Sequence, residues 1–383
     1  MHCRPSSALG LAAVLAAATG TSCYRGEGTL GGACEQDADC GEPQTCARSV
    51  CSLCGDGIAQ AGELCLESLR EVAEPGPDVG PIVQLDLDGD GRSDLAWPGD
   101  GGLTVAGSAD DFATTTTLPM DVNAVWSGDL EGDGIVDVLT RDAAGGATLR
   151  RPGGSGMLIE VGSVDTEPLR GLTQAAIASG LGIIAAQTGA LVRVRADEEP
   201  QMVAFEGEVA SLIAAVSLDG DAVPDVLAFV PPRTVVPVFA TEDTLIPQTP
   251  VVLDQPIVAL DVIAWNADGL WDVVTLSDNG RIDVWLSDGA GGLIEGPTSA
   301  VPRASTGLLV ADVTLDTVPD VLAFGGEPGL HLAVHRGGEL DDDLQIDDGG
   351  PFAWVGQVAL PGDPFVDLAL YDGASFSVLR RDP

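Results

Sequence analysis

The stretch LDLDGDGRSDLAW, residues 85–97, crowds Asp86, Asp88, Asp90 and Asp94 into nine positions and threads glycine between them. Read as D-x-D-x-D-G-x-x-D, it offers side-chain oxygens at its first, third, fifth and ninth positions and the backbone carbonyl of Arg92 at the seventh. A hard cation that takes six to eight oxygens at about 2.3–2.6 Å is wrapped by a short loop in this way. Without a cation, carboxylates about 5 Å apart repel by roughly 3 kcal/mol per pair at an effective dielectric of ~20. The expected ligand is Ca2+, because zinc prefers Cys and His and magnesium keeps more of its water.

The same spacing returns with graded fidelity. In GDLEGDGIVDVL (128–139) the set is Asp129, Glu131, Asp133 and Asp137, with the carbonyl of Ile135. In VSLDGDAVPDVLAF (216–229) it is Ser217, Asp219, Asp221 and Asp225, with the carbonyl of Val223 and with Ala222 in the glycine's place. Asp312, Thr314, Asp316 and Asp320 keep the oxygen donors with less charge, so a weaker calcium site is expected there. In AWNADGLWDVV (264–274), Ala264 removes the first ligand and leaves Asn266, Asp268 and Asp272; VALPGDPFVDLALY (358–371) keeps only Asp363 and Asp367. In these weak loops the last aspartate is expected to accept backbone hydrogen bonds and fix the turn.

The elements that must position these loops follow from repetition. The ninth-position residues Asp94, Asp137, Asp225, Asp272, Asp320 and Asp367 stand at intervals of 43, 88, 47, 48 and 47 residues. The double interval implies a hidden unit, and IASGLGIIAAQTGALVRVRA (177–196) fits it with its acidic loop eroded. Seven units result. In each, an apolar strand enters the loop, a strand beginning at the last aspartate leaves it (DLAW, DVLT, DVVTL), a tight turn follows, and a third strand such as GLTVAG, RIDVWLS or SFSVLRR precedes a variable fourth. Four short strands in such a length make one propeller blade, whose faces are buried only by stacking on its neighbours. The expected fold is therefore all-β, a seven-bladed β-propeller over residues 67–383. The last unit stops after its third strand, so LREVAEPG (69–76) is expected to supply the fourth and close the ring, since an open sheet edge invites aggregation.

These repeats resemble the FG-GAP or VCBS-type repeats of integrin α-subunit propellers and of many exported bacterial proteins. WLSDGAGGLIEG (285–296) is similar to the stretch after the second strand of that repeat, with Leu293 where phenylalanine is common. The resemblance implies a calcium-stabilised propeller used in adhesion or ligand binding. It does not specify the ligand, because function on such scaffolds lives in variable loops.

Composition bounds the rest. With 59 acidic and 17 basic residues the chain carries a formal charge of −42, which repels nucleic acid and sets DNA and RNA aside as partners. Every basic residue is arginine, so Schiff-base chemistry and lysine-dependent phosphate loops are excluded. Fifty glycines and 25 prolines in a chain that is 45% hydrophobic favour short strands and tight turns over long helices or disorder.

The first 22 residues read as an export signal: a weakly basic start and then the apolar run SALGLAAVLAAATG, too short to span a bilayer. GTSC, ending at Cys23, resembles a bacterial lipoprotein processing site and implies a lipid on Cys23, which would be the chain's one tie to a membrane. The expected location is the outer membrane or cell surface; a secreted or periplasmic protein with a free Cys23 is the alternative. Residues 23–66 hold Cys34, Cys40, Cys46, Cys51, Cys54 and Cys65, an even set in a segment too small for a useful core, so disulfides are expected to stabilise it. CGDGIAQAGELC resembles a short cysteine-rich repeat of exported bacterial proteins. Cys51-Ser-Leu-Cys54 lacks the histidine or βαβ context of a zinc or redox pair.

Three functional classes stay open: a surface binding, adhesion or structural module for an unknown protein or glycan; a polysaccharide lyase or hydrolase on a propeller scaffold; and a non-catalytic subunit of an envelope complex. No G-x-S-x-G or H-E-x-x-H is present, while paired carboxylates for glycoside cleavage stay open in so acidic a chain. His331 and His335, in GLHLAVHRGG, are read as two partly exposed residues sharing one strand face. Trp97, Trp126, Trp265, Trp271, Trp285 and Trp354 fall within or beside repeat strands, where packing between blades is the commoner use than stacking on sugars.

Overall fold

The computed structural model describes residues 81–380, apart from 111, 155, 162–171, 180–181, 196–197, 216, 222, 242, 267, 315, 342–343, 348 and 361–365, together with the strands Thr45–Ala47, Val50–Ser52 and Arg70–Ala73. The segment read as an export signal, Cys23, Cys34, Cys40, Cys54, Cys65, Ala222 and Asp363 lie outside the described residues. Cys46 and Cys51 stand opposite each other in the register of the Thr45–Ala47 and Val50–Ser52 pair.

Apolar runs punctuated by glycine turns produce seven antiparallel sheets of the same plan. Blade 1 runs Val83–Leu85, Asp94–Gly99, Gly102–Ala106, Thr115–Pro119, and blade 2 runs Ala124–Gly128, Asp137–Arg141, Ala147–Pro152, Leu158–Glu160. Blade 3, the hidden unit, is Gln174–Ala178, Gly182–Gln187, Ala190–Val194 and Gln201–Ala204. Blade 4 begins at Ser211–Ala215 and gains an extra short strand, Val251–Val252, on its third strand Thr234–Ala240. Blade 5 spans Ile257–Ile263 to Leu293–Ala300. Blade 6 spans Gly307–Ala311 to Leu344–Asp347 and carries an inserted hairpin, His335–Arg336 with Glu339–Leu340.

Blade 7 is made from both ends of the repeat region. Trp354–Ala359, Val366–Tyr371 and Phe376–Leu379 are completed by Arg70–Ala73, which pairs antiparallel with Phe376–Leu379. The segment expected to close the ring does so. First strands of successive sheets adjoin. Gln84 of blade 1 donates from Nε2 to the carbonyl of Gln357 in blade 7 at 2.8 Å. Seven sheets arranged in this way, six of four strands and one of five, are a seven-bladed β-propeller.

The cores lie between blades. One cluster joins Leu85, Leu103 and Val105 of blade 1 to Val125 and Val138 of blade 2; another joins Ile184 and Leu191 of blade 3 to Val226, Val236 and Val238 of blade 4. Because each sheet is covered on both faces, the second strand is buried along most of its length, and along all of it in Asp272–Ser277 and Asp320–Phe324. Fully burying each such Val or Leu contributes about 1.5–3 kcal/mol, so a blade gains its stability from its neighbours. Neighbouring blades approach closely at Gly128, where a Cβ would lie 2.2 Å from the carbonyl oxygen of Ile177 in the next blade.

Candidate metal centre

The ninth-position aspartate is where each loop meets its blade. It opens the second strand at Asp94, Asp137, Asp225, Asp272 and Asp320, and it is buried in all of them. One carboxylate oxygen accepts a loop N–H: Leu87 to Asp94 at 2.9 Å, Leu130 to Asp137 at 3.0 Å, Leu218 to Asp225 at 2.7 Å and Trp265 to Asp272 at 3.0 Å. The other oxygen accepts an N–H from the far end of the third strand or just beyond it: Ser108 to Asp94 at 2.7 Å, and Ala240, Ser287 and His335 to Asp225, Asp272 and Asp320 at 2.9 Å each. Burial pushes the carboxyls of Asp94, Asp225 and Asp272 above their ordinary range, against those N–H groups, which favour the charged form. The role expected in the weak loops therefore extends to the well-formed ones.

Loop 1 combines this staple with a convergence of oxygens. Asp86 folds the turn by accepting the N–H groups of Gly89 at 2.7 Å, Asp90 at 3.1 Å and Gly91 at 2.8 Å. Gly89 and Gly91 take φ of 80° and 85°, which favour a residue without Cβ. One oxygen from each of Asp86, Asp88 and Asp94 lies within 4.8 Å of the others, and among the described residues this is the one such group of three or more acidic, His or Cys side chains. Oxygens on opposite sides of a calcium ion are about 4.8 Å apart at the usual bond length, so the trio fits the ion. Asp90 is turned toward the guanidinium of Arg92, and its Oδ1 also accepts the backbone N–H of Arg92 at 2.9 Å.

Loop 2 repeats the turn but not the opening. Asp129 accepts Gly132, Asp133 and Gly134 N–H at 2.6, 3.3 and 2.8 Å, and Asp133 accepts that of Ile135 at 3.0 Å. Arg151, near the end of the third strand, then reaches into the set. Its guanidinium pairs with Glu131, lies 3.4 Å from Asp133 Oδ2 and donates from Nε to Asp137 Oδ1 at 2.9 Å. Glu131, Asp133 and Asp137 are brought together around the guanidinium of Arg151.

In loop 3, Ser217 Oγ accepts Gly220 N–H at 2.7 Å, Asp219 accepts that of Asp221 at 3.0 Å and Asp221 that of Val223 at 2.7 Å. These donors fold their own turn, and the acidic trio of loop 1 is not reproduced among the described residues. In the sixth loop, Asp312 accepts the N–H groups of Asp316 at 3.0 Å and Thr317 at 2.9 Å, while Thr314 is buried. Thr317 holds φ of 69° at the position where loops 1 and 2 place Gly91 and Gly134.

Two expectations about aromatic side chains are corrected or sharpened. His331 and His335 are buried, 6% and 5% exposed, and the third strand of blade 6 ends at Ala333, so the two sit on different strands. Loop insertion at the blade edge, invisible in local periodicity, broke the strand. The His335 ring stacks on Trp265 of blade 5 with centroids 4.2 Å apart and planes 15° apart. Trp97 is fully buried and packs on Phe376 of blade 7 at 5.0 Å. Trp126, Trp271, Trp285 and Trp354 pack partly buried against the interblade clusters.

Sequence reasoning missed Arg151 and the third-strand N–H groups. The available signal was a narrow offset: the donor follows its aspartate by 14 residues at Ser108 and Arg151 and by 15 at Ala240, Ser287 and His335.

No family model matches the chain, and no curated protein matches it. Among solved structures it is similar to BBS1N in complex with ARL6DN, soaked with mercury, at 11% identity and a TM-score of 0.57, covering 83% of this chain and 96% of that one. A second structure of the same complex, soaked with lead, gives 11% identity, a TM-score of 0.56, and coverage of 85% and 98%. At this identity the likeness concerns the fold. The chain is a seven-bladed β-propeller.

Proposed function

We propose that this chain is an exported, calcium-braced β-propeller that works as a non-catalytic binding module for a protein partner at the cell envelope. The observation that carries the metal part is the approach of Asp86, Asp88 and Asp94 to within 4.8 Å. Calcium there would neutralise carboxylates that otherwise repel and would bridge the loop to the blade through Asp94. The binding part is supported by the fold shared with BBS1N, which was solved in complex with ARL6DN. It is also supported by the burial of Trp97, Trp265, His331 and His335, which leaves these groups in packing roles. A charge of −42 favours a partner with a basic contact face. Three disulfides among Cys34, Cys40, Cys46, Cys51, Cys54 and Cys65 and a lipid on Cys23 belong to the same proposal. Among the described residues no helix is long and apolar enough to cross a membrane.

The metal part is tested by thermal unfolding of the mature chain in chelator and in calcium. A ligand at a hundred times its Kd stabilises by about 2.7 kcal/mol, so calcium should raise the melting temperature and Asp86→Asn with Asp88→Asn should abolish most of that rise. Melting indifferent to both treatments removes calcium from the proposal. Turnover of acidic or neutral polysaccharides by the pure chain would instead favour the enzyme reading. Intact mass of the exported protein reads the lipid on Cys23 and the loss of six thiol hydrogens directly.

A further inference from the structure

We infer that Arg151 is a built-in counter-cation that takes the metal's place in loop 2, so that blade 2 is braced without calcium although its loop carries the calcium-type spacing. The inference rests partly on the calcium reading of loop 1, which supplies the contrast. In blade 1 the residue 14 positions after the ninth aspartate, Ser108, gives its backbone N–H to Asp94 Oδ1 at 2.7 Å. In the strand register the position in blade 2 that matches Ser108 is Pro152, which has no N–H to give, and Arg151 supplies its side chain instead, with Nε on Asp137 Oδ1 at 2.9 Å. The remaining guanidinium nitrogens then extend to Glu131 and Asp133. One side chain thus satisfies the buried aspartate and places a positive charge among three carboxylates, where the trio of loop 1 is met only by backbone N–H groups. A planar guanidinium with five N–H donors suits this work, because it can address several carboxylates from one rigid fork while remaining charged at any ordinary pH. Glu131, where loop 1 has Asp88, is one methylene longer and reaches the arginine.

The test is calcium titration calorimetry on the mature chain, comparing stoichiometries. Asp129→Asn with Asp133→Asn should leave the number of calcium ions bound by the native protein unchanged. Arg151→Gln should add one equivalent, and adding Asp129→Asn and Asp133→Asn to that variant should take the equivalent away again. A native protein that loses one calcium with the loop 2 asparagines overturns the inference, and so does a folded Arg151→Gln that gains none. Should Arg151→Gln fold only in calcium, that dependence supports it; should it not fold at all, the loop 2 asparagines in the native background still decide. Failure of the loop 1 reading is separately visible, as an unchanged stoichiometry in Asp86→Asn with Asp88→Asn.

Discussion

Asp272 accepts the N–H of Ser287, 15 residues downstream, at 2.9 Å on one carboxylate oxygen, while its other oxygen accepts the N–H of Trp265 at 3.0 Å. The side chain thereby ties the loop and the third strand to the start of the second strand, inside the sheet. Removing it leaves two buried N–H groups without partners, each worth about 1–3 kcal/mol. Asp272→Ala should therefore lower unfolding stability by about 2–6 kcal/mol. Asp272→Asn, which keeps one acceptor but sets an NH2 against a backbone N–H, should lose about 1–3 kcal/mol. Urea unfolding followed by tryptophan fluorescence reads both; a loss under about 0.5 kcal/mol for the alanine variant would show that the carboxylate is dispensable.

Acid should stabilise this protein before it harms it. Asp225, Asp261 and Asp272 have carboxyls pushed above the ordinary 3.8 by burial. The folded state then binds protons more tightly than the unfolded one, so stability falls as pH rises through the folded values and recovers as pH falls toward 3.8. Asp372 has the opposite sign: although its partial burial works the other way, the N–H groups of Ser375 and Ala374 hold it below the ordinary range, so its contribution is lost only at more acid pH. In chelator, the urea midpoint should rise as pH falls from neutrality toward the ordinary carboxyl range, and the rise should shrink in high salt to the extent that it comes from the net charge. A midpoint that falls steadily over that window contradicts the assigned directions.

The ring should depend on residues that precede the repeats. Deleting 1–66 leaves Arg70–Ala73 paired with Phe376–Leu379, whereas deleting 1–76 removes the closing strand and exposes the edge at Phe376–Leu379. An exposed edge offers unpaired N–H and C=O groups to another chain. Light scattering after size exclusion should find the longer deletion associated or aggregated relative to the shorter one. Equal size and equal melting temperature would mean the strand adds little.

Trp265 joins blades 5 and 6 through its stack on His335 and its place in the interblade core. Truncating a buried tryptophan usually costs about 3–5 kcal/mol. Trp265→Ala should fall in that range, while Trp271→Ala, at a half-buried site, should cost less. Chemical unfolding of the two variants side by side checks the order.

Much of this architecture could be read from the chain alone, and the reason is repetition. A ninth aspartate returning at near-constant intervals from Asp94 to Asp367 fixed the unit length, and the unit length fixed four short strands, the hidden third blade and the need for Arg70–Ala73 to complete the seventh. Such features depend on local spacing and on the burial of apolar faces, both of which are written in linear order. The fate of each acidic loop was not. Loops 1 and 2 share turn glycines and carboxylate spacing, yet Asp86, Asp88 and Asp94 converge while Glu131, Asp133 and Asp137 close on Arg151. His335 likewise reads as a strand residue beside His331 but stacks on a tryptophan of the preceding blade. A carboxylate's partner is chosen by whichever cation or N–H the folded sheets carry to within about 3 Å of it. For the ninth aspartates that choice is made between strands, beyond the reach of local spacing.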